Sequence, residues 1–178
     1  MPTPQSLQDI IDAQAPMNES DVRALLATIC DELQAVHNEG RSHHDLKPGN
    51  IQVEADSSVT LLHFGAVQSG DTSQRMNNVA GSAPYIAPEL LTDTNDIDHR
   101  ADIYALGAVV YQMLTGEPPF SGSLPQLINA HISQPAPDPR AMNEAISDQL
   151  AGAVMKALAK APEDRFDSVA DFAVMAMG

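Results

Sequence analysis

His43-His44-Asp45-Leu46-Lys47-Pro48-Gly49-Asn50 is the stretch on which the reading of this 178-residue chain turns. It is polar and rich in histidine, and it lies between two segments of different periodicity. Before it, Val22, Leu25, Leu26, Ile29, Leu33 and Val36 recur at helical spacing. Asn18 is the N-cap of that helix, Asp21 sits in its first turn and Gly40 stops it. After the stretch, Ile51–Val53 and Val59–Leu62 are short apolar runs around Asp56-Ser57-Ser58, the pattern of a small hairpin.

Farther out, the pattern is mostly helical. Residues 1–5 open on a Pro-rich, loose N-terminus. Ser6 then caps a short helix with Leu7, Ile10 and Ile11 on one face, and Pro16-Met17 separates it from the next. Residues 65–84 hold Gly, Ser, Thr and Asn without periodicity and are expected to form a long loop. Helical spacing returns at Ile103, Leu106, Val110, Met113 and Leu114 and ends at Gly116 and Pro118-Pro119. A shorter helix is expected over Leu124–Ile132, then a loop carrying Pro135, Pro137 and Pro139. Ser147 and Ser168 cap two more, with Leu150, Val154, Ala157 and Leu158 inside one and Val169 and Phe172 inside the other. The sum is a mainly α chain with one small hairpin. Cys30 falls among apolar positions and reads as a buried, inert thiol, and His37 reads as a solvent-facing residue near its helix end.

Composition narrows the function. Twenty-four acidic against nine basic residues give a net charge of −15. That balance speaks against nucleic acid and against anionic membrane, both of which select a basic surface. Residues 1–20 hold three prolines and no lysine or arginine, unlike a signal peptide, and no apolar run reaches the length of a membrane span. A single cysteine permits no intrachain disulfide, which fits a reducing compartment and a cytoplasmic location.

The motifs around the opening stretch carry a resemblance. Leu61-Leu62-His63-Phe64-Gly65 follows it, then Ala87-Pro88-Glu89, Asp102-Ile103-Tyr104-Ala105-Leu106-Gly107, Gly116-Glu117-Pro118-Pro119-Phe120, and Arg165 after Pro162-Glu163-Asp164. This order and spacing resemble the large, C-terminal lobe of the eukaryotic-like protein kinases, close to the bacterial serine/threonine branch. The resemblance implies a kinase-lobe-like domain over residues 6–177, with a catalytic loop at 41–50 and an activation segment at 63–89. It implies that Asp45 accepts the proton of a substrate hydroxyl, that Lys47 reaches the transferring phosphate, and that Asn50 offers an oxygen to a metal. Ser82, after Gly81, stands where the family places a hydroxyl contacting Lys47 and the base. Glu89 and Arg165 resemble a buried ion pair anchoring the end of the segment, and Asp102 the residue that holds the catalytic-loop backbone. His43, Phe64 and Gly65 resemble structural positions of the core. Ser and Thr within 69–82 are candidates for phosphorylation, though an ordinary solvated loop is the favoured reading of this segment.

Four departures from the family pattern bear on activity. His63 stands where the family has a metal-binding Asp, and an imidazole nitrogen is a poor ligand for Mg²⁺. His44 replaces an Arg that would pair with a phosphate, and imidazole has no bidentate fork. Gln52 sits where an apolar residue would lie beneath an adenine ring. There is no glycine before Gly40 and no lysine before Lys47, so the glycine-rich loop and the phosphate-holding lysine of a small lobe are expected to be absent. The expectation is therefore a pseudokinase-like binding or regulatory module. The alternative is a serine/threonine kinase using ATP and Mg²⁺ or Mn²⁺, either a fragment or completed by a small lobe in trans. A lesser alternative makes His63, with Asp45 or Asn50, a site for a transition metal. The surface that a small lobe would cover is expected to meet a protein partner or a second copy.

Overall fold

One helix organises the chain. The computed structural model describes residues 3–65, 71–92 and 97–178. At its centre is a helix over Arg100–Thr115, here α4, in which every residue from Ala101 to Thr115 is buried. Its sequence explains this: apolar and small residues occur on all sides, and a helix without a polar face belongs inside. Gly107 permits the closest approach, because a Cβ there would lie 2.9 Å from the Ala157 Cβ. Gly116 ends the helix at φ 90, its N–H donating to the Gln112 carbonyl.

Six further α-helices complete the helical frame of the described residues. They are α1 (Leu7–Gln14), α2 (Glu19–Asn38), α3 (Thr72–Ser82), α5 (Leu124–Ser133), α6 (Asp148–Ala157) and α7 (Val169–Met177). Helix α2 buries Val22, Leu26, Ile29, Cys30, Leu33 and Val36 and packs on α4 and α7, while α6 packs on both as well. Ser6, Asn18, Ser147 and Ser168 each accept a backbone N–H of the first turn that they cap. Burial pushes the Cys30 thiol up to about 12, so it stays protonated and unreactive.

The expected hairpin is present as β2 (Ile51–Val53) and β3 (Val59–Leu61), with Ile51 opposite Leu61 and Val53 opposite Val59. A third strand, β1 (Gln5–Ser6), adds antiparallel to β2, with Gln5 opposite Val53 and Ser6 opposite Gln52. Gln5, expected in a loose terminus, is thus held by the sheet; two residues are too few to show a period. The second correction concerns residues 65–84. Thr72–Ser82 is helical, opened by a capping box in which Asp71 and Gln74 satisfy each other's backbone N–H. That helix buries only Ser82, so it has no apolar stripe to betray it. Residues 66–70, including Ser69, lie outside the described residues, as do Met1 and Pro2. Among the described residues no helix is long and apolar enough to cross a membrane.

Candidate functional site

The stretch 43–50 is held from below by α4. Asp102, fully buried, accepts the backbone N–H of His43 and of His44, each at 2.7 Å, one on either carboxylate oxygen. These two bonds hold His44 at φ 58, a left-handed conformation uncommon for a residue with a side chain. A third donor was not expected. His37 Nε2 lies 2.8 Å from Asp102 Oδ2, and the His37 side chain is only 5% exposed. His37 therefore faces inward. The 3.6-residue period puts it one turn from Leu33 on the buried side of α2, and only the arrival of α4 supplies the acceptor.

His43 is fully buried, and its tautomer follows from its partners. Nδ1 accepts the Asp45 N–H at 3.1 Å, so the proton sits on Nε2, which donates to the Leu62 carbonyl at 2.8 Å. Burial holds its pKa below the ordinary histidine range, which keeps the ring neutral. Phe64 stacks on this ring at 4.4 Å between centroids, and the Gly65 N–H donates to the His43 carbonyl at 2.7 Å. Phe64 nevertheless stays 38% exposed, with the Arg41 guanidinium over its ring at 5.4 Å from the centre. As a core position Phe64 is therefore half complete.

Asp45, Lys47, Asn50 and Ser82 converge. The Ser82 hydroxyl donates to Asp45 Oδ1. Asn50 Nδ2 donates to Asp45 Oδ2 at 3.1 Å and to the Asp45 carbonyl at 2.8 Å. Lys47 Nζ donates to Ser82 Oγ at 3.0 Å and to the Gly81 carbonyl at 3.3 Å, and stands 3.9 Å from Asp45 Oδ2. The 3₁₀ turn Pro48–Asn50 makes this possible by reversing the chain so that Asn50 returns to Asp45. A carboxylate that already holds a hydroxyl, with an ammonium donating to that hydroxyl, can accept a hydroxyl proton and steady the resulting charge.

Glu89 and Arg165 form a bidentate pair, Nη1 to Oε1 at 2.6 Å and Nη2 to Oε2 at 2.8 Å. The remaining guanidinium donors reach the carbonyls of Ala159, Arg100 and Lys160, so all five N–H groups are used.

The other candidates lie apart from this cluster. His63 is exposed, at φ 59. Among the described residues no group of three or more His, Cys, Asp or Glu side chains is placed to hold a metal ion. His44 Nε2 reaches the Asp98 carbonyl at 3.2 Å. Gln52 is half-buried, and the sheet register puts Ser6 and Thr60 beside it. Paired residues share a face, so the stripe Ser6–Gln52–Thr60 is polar across all three strands.

One buried network went unseen in the sequence. His131 on α5 is fully buried, its Nδ1 2.7 Å from the Tyr104 hydroxyl. Its Nε2 is buried without a hydrogen-bond partner among the described residues. Its only signal in the sequence was a histidine in the apolar stripe of Leu127, Ala130 and His131. Burial, with Lys160 nearby, pushes His131 down to about 4 from an ordinary 6.5. Above about pH 6.5 the ring is neutral both folded and unfolded. Below it the unfolded chain takes the proton first, so stability falls until the folded ring also protonates. A loss of about 2 kcal/mol by pH 5 is expected from this group. Urea midpoints at pH 7 and pH 5 check it, with His131→Gln losing most of the difference.

Comparisons with known proteins bear on this geometry. The protein kinase domain family matches residues 1–173. The chain is 36% identical over 171 residues to the serine/threonine-protein kinase PknB of Mycobacterium tuberculosis, covering 93% of this chain and 27% of that protein. It is 36% identical to the serine/threonine-protein kinase Pkn1 of Myxococcus xanthus over 187 residues, covering 96% of this chain and 27% of the relative. Against PknE of Mycobacterium tuberculosis the identity is 34%, with 96% and 30% covered. The chain spans about a quarter of the length of these curated relatives.

Proposed function

This chain belongs to the protein kinase family, with bacterial serine/threonine kinases among its relatives, and on that premise we propose that it is a degenerate, kinase-like binding or regulatory module that does not transfer phosphate by itself. The observation that carries the reading is His63. The family's metal-binding carboxylate is replaced by an exposed imidazole, and both oxygens of Asp45 are already engaged by Ser82 and Asn50. This donor set does not fit Mg²⁺, which asks for near-octahedral oxygen ligands. The polar stripe Ser6–Gln52–Thr60 adds to the case, since a purine ring over Gln52 would strip an amide of its hydrogen bonds to water.

The surface that exposes His63 and Phe64 is the proposed contact for a protein partner, either a small lobe from elsewhere or a second copy. The half-covered Phe64 ring supports this.

A second reading is favoured by the preserved cluster of Asp45, Lys47, Asn50 and Ser82: a serine/threonine kinase completed by a small lobe, with ATP and Mg²⁺ or Mn²⁺. One experiment separates the two. The melting temperature is followed with ATP and with Mg²⁺, Mn²⁺ or Zn²⁺, for the wild type and for His63→Asp, with the oligomeric state of each read by light scattering. The degenerate reading expects no ATP–Mg²⁺ shift in the wild type and a gain of Mg²⁺ response in His63→Asp. Asp45-dependent phosphotransfer by the wild-type chain alone would overturn it, and a Zn²⁺ shift lost in His63→Ala would favour a metal module instead.

A further inference from the structure

Tyr111 lies on the buried helix α4 and is itself fully buried. Among the described residues its hydroxyl has one acceptor, the Met142 sulfur at 3.8 Å. A thioether accepts hydrogen bonds weakly. A buried hydroxyl that rests on it alone is under-satisfied, and a stronger acceptor in the same place would stabilise it.

Met142 also meets solvent, since the residue is 52% exposed. Its backbone is fixed. It follows the 3₁₀ turn Pro139–Ala141, and its N–H donates to the Pro139 carbonyl at 3.1 Å. Arg140, within that turn, bridges Asp138 and Asp148. The next residue, Asn143, donates from Nδ2 to the Leu114 carbonyl of α4 at 2.9 Å. The side chain therefore starts from a fixed point beside α4 and touches both Tyr111 and water. The other described methionines lack this combination. Met17 and Met113 are buried, and Met155 and Met177 are half-buried. Met76 on α3 and Met175 on α7 are 53% and 37% exposed, but among the described residues no hydroxyl donates to their sulfur.

We propose that Met142 is a site of reversible oxidation by small peroxides, a methionine whose sulfoxide is taken up by Tyr111. In the step, a sulfur lone pair attacks one oxygen of hydrogen peroxide. An S–O bond forms and the O–O bond breaks. The departing hydroxide takes the proton of the transferred oxygen and leaves as water. Sulfur is oxidised by two electrons and the peroxide is reduced by two. A sulfoxide reductase returns the thioether, two thiols going to a disulfide and the oxygen leaving as water.

The Tyr111 hydrogen bond sets what oxidation does here. It occupies one of the two sulfur lone pairs, so oxygen is transferred to the other and one sulfoxide epimer is favoured. The sulfoxide oxygen is a stronger acceptor than the thioether, and the rotatable bonds of methionine let it turn to the Tyr111 hydroxyl. Oxidation thus fastens the segment 139–143 to α4, whereas at an exposed methionine without a donor it only adds polarity.

The test treats the intact chain with hydrogen peroxide at pH 7, stops the reaction once Met76 has reacted, and reads each methionine by peptide mass spectrometry. The digested peptides are then split between the two sulfoxide reductases, each of which takes one epimer. Met142 is expected to oxidise within about threefold of Met76 and at least about tenfold faster than Met113, because susceptibility follows exposure. Its epimers are expected at about 3:1 or beyond, against about 1:1 at Met76, and Tyr111→Phe, which removes only the hydroxyl, is expected to return Met142 to about 1:1. In a background of Met76→Leu with Met175→Leu, Tyr111→Phe is expected to raise the unfolding constant about fivefold more in the oxidised chain than in the reduced one, the worth of a neutral hydrogen bond. A Met142 that stays reduced while Met76 reacts, equal epimers in the wild type, a bias that survives Tyr111→Phe, or equal costs of Tyr111→Phe in the two redox states would each overturn the proposal. The epimer ratio of the wild type needs no variant to fold, and the result is independent of whether the kinase-like site transfers phosphate.

Discussion

Arg165→Ala is expected to lower the stability of the chain by about 3–5 kcal/mol, the usual cost of stranding one partner of a buried ion pair. The Arg165 side chain is fully buried and Glu89 nearly so. Removal leaves the Glu89 carboxylate without its cation and takes donors from the carbonyls of Ala159, Arg100 and Lys160. Against a typical total of about 5–15 kcal/mol, this is a large fraction. The melting temperature is expected to fall by roughly 6–20 °C, at about 2–4 °C per kcal/mol for a domain of this size. Thermal and urea unfolding check the value. The double variant Glu89→Ala with Arg165→Ala is expected to lose less than the sum of the two single losses, because the second change removes the stranded charge. A single-variant loss below about 1 kcal/mol, or strict additivity, would show that the pair is not what anchors Pro88–Leu90 to the end of the chain.

The second large effect belongs to Asp102. One carboxylate holds two consecutive backbone N–H groups and the His37 imidazole. Asp102→Ala leaves three buried donors without an acceptor, at about 1–3 kcal/mol each, and releases His44 from its left-handed conformation. The expected loss is about 3 kcal/mol or more. Asp102→Asn retains the shape but turns an amide N–H₂ toward a backbone N–H, so an intermediate loss is expected. The discriminating measurement is hydrogen exchange at the amides of His43 and His44. Both are expected to lose protection in Asp102→Asn, which is the milder change, while amides in the middle of α2 keep theirs. Unchanged protection at His43 and His44 would mean that another group positions the loop.

His37 shows where reading residues along the chain stops. Placed near the end of α2, with Asn38, Glu39 and Gly40 after it, it reads as a surface residue. It is turned inward because Asp102, 65 positions later, lies within 2.8 Å. No period within α2 encodes a partner on α4. Helix α3 marks a different limit: a helix that buries one residue has nothing for an apolar pattern to show, although its capping box at Asp71 and Gln74 was present in the letters. Strand β1 fails for shortness alone, and His131 because a histidine in an apolar stripe does not reveal that a tyrosine on another helix will meet it.

The sequence by itself determined the helical frame and the order of the motifs. Both are local: caps at Ser6, Asn18, Ser147 and Ser168, apolar stripes of helical period, and short signatures such as Asp45-Leu46-Lys47-Pro48-Gly49-Asn50 need no knowledge of distant residues. The tertiary structure alone decided which groups meet. The junction of Ser82 with Asp45 and Lys47, the gathering of His37, His43 and His44 on Asp102, and the meeting of the Tyr111 hydroxyl with the Met142 sulfur are long-range events. Protonation and reactivity follow from burial and from the charges that packing brings near, and neither quantity is written in a residue's own neighbourhood along the chain.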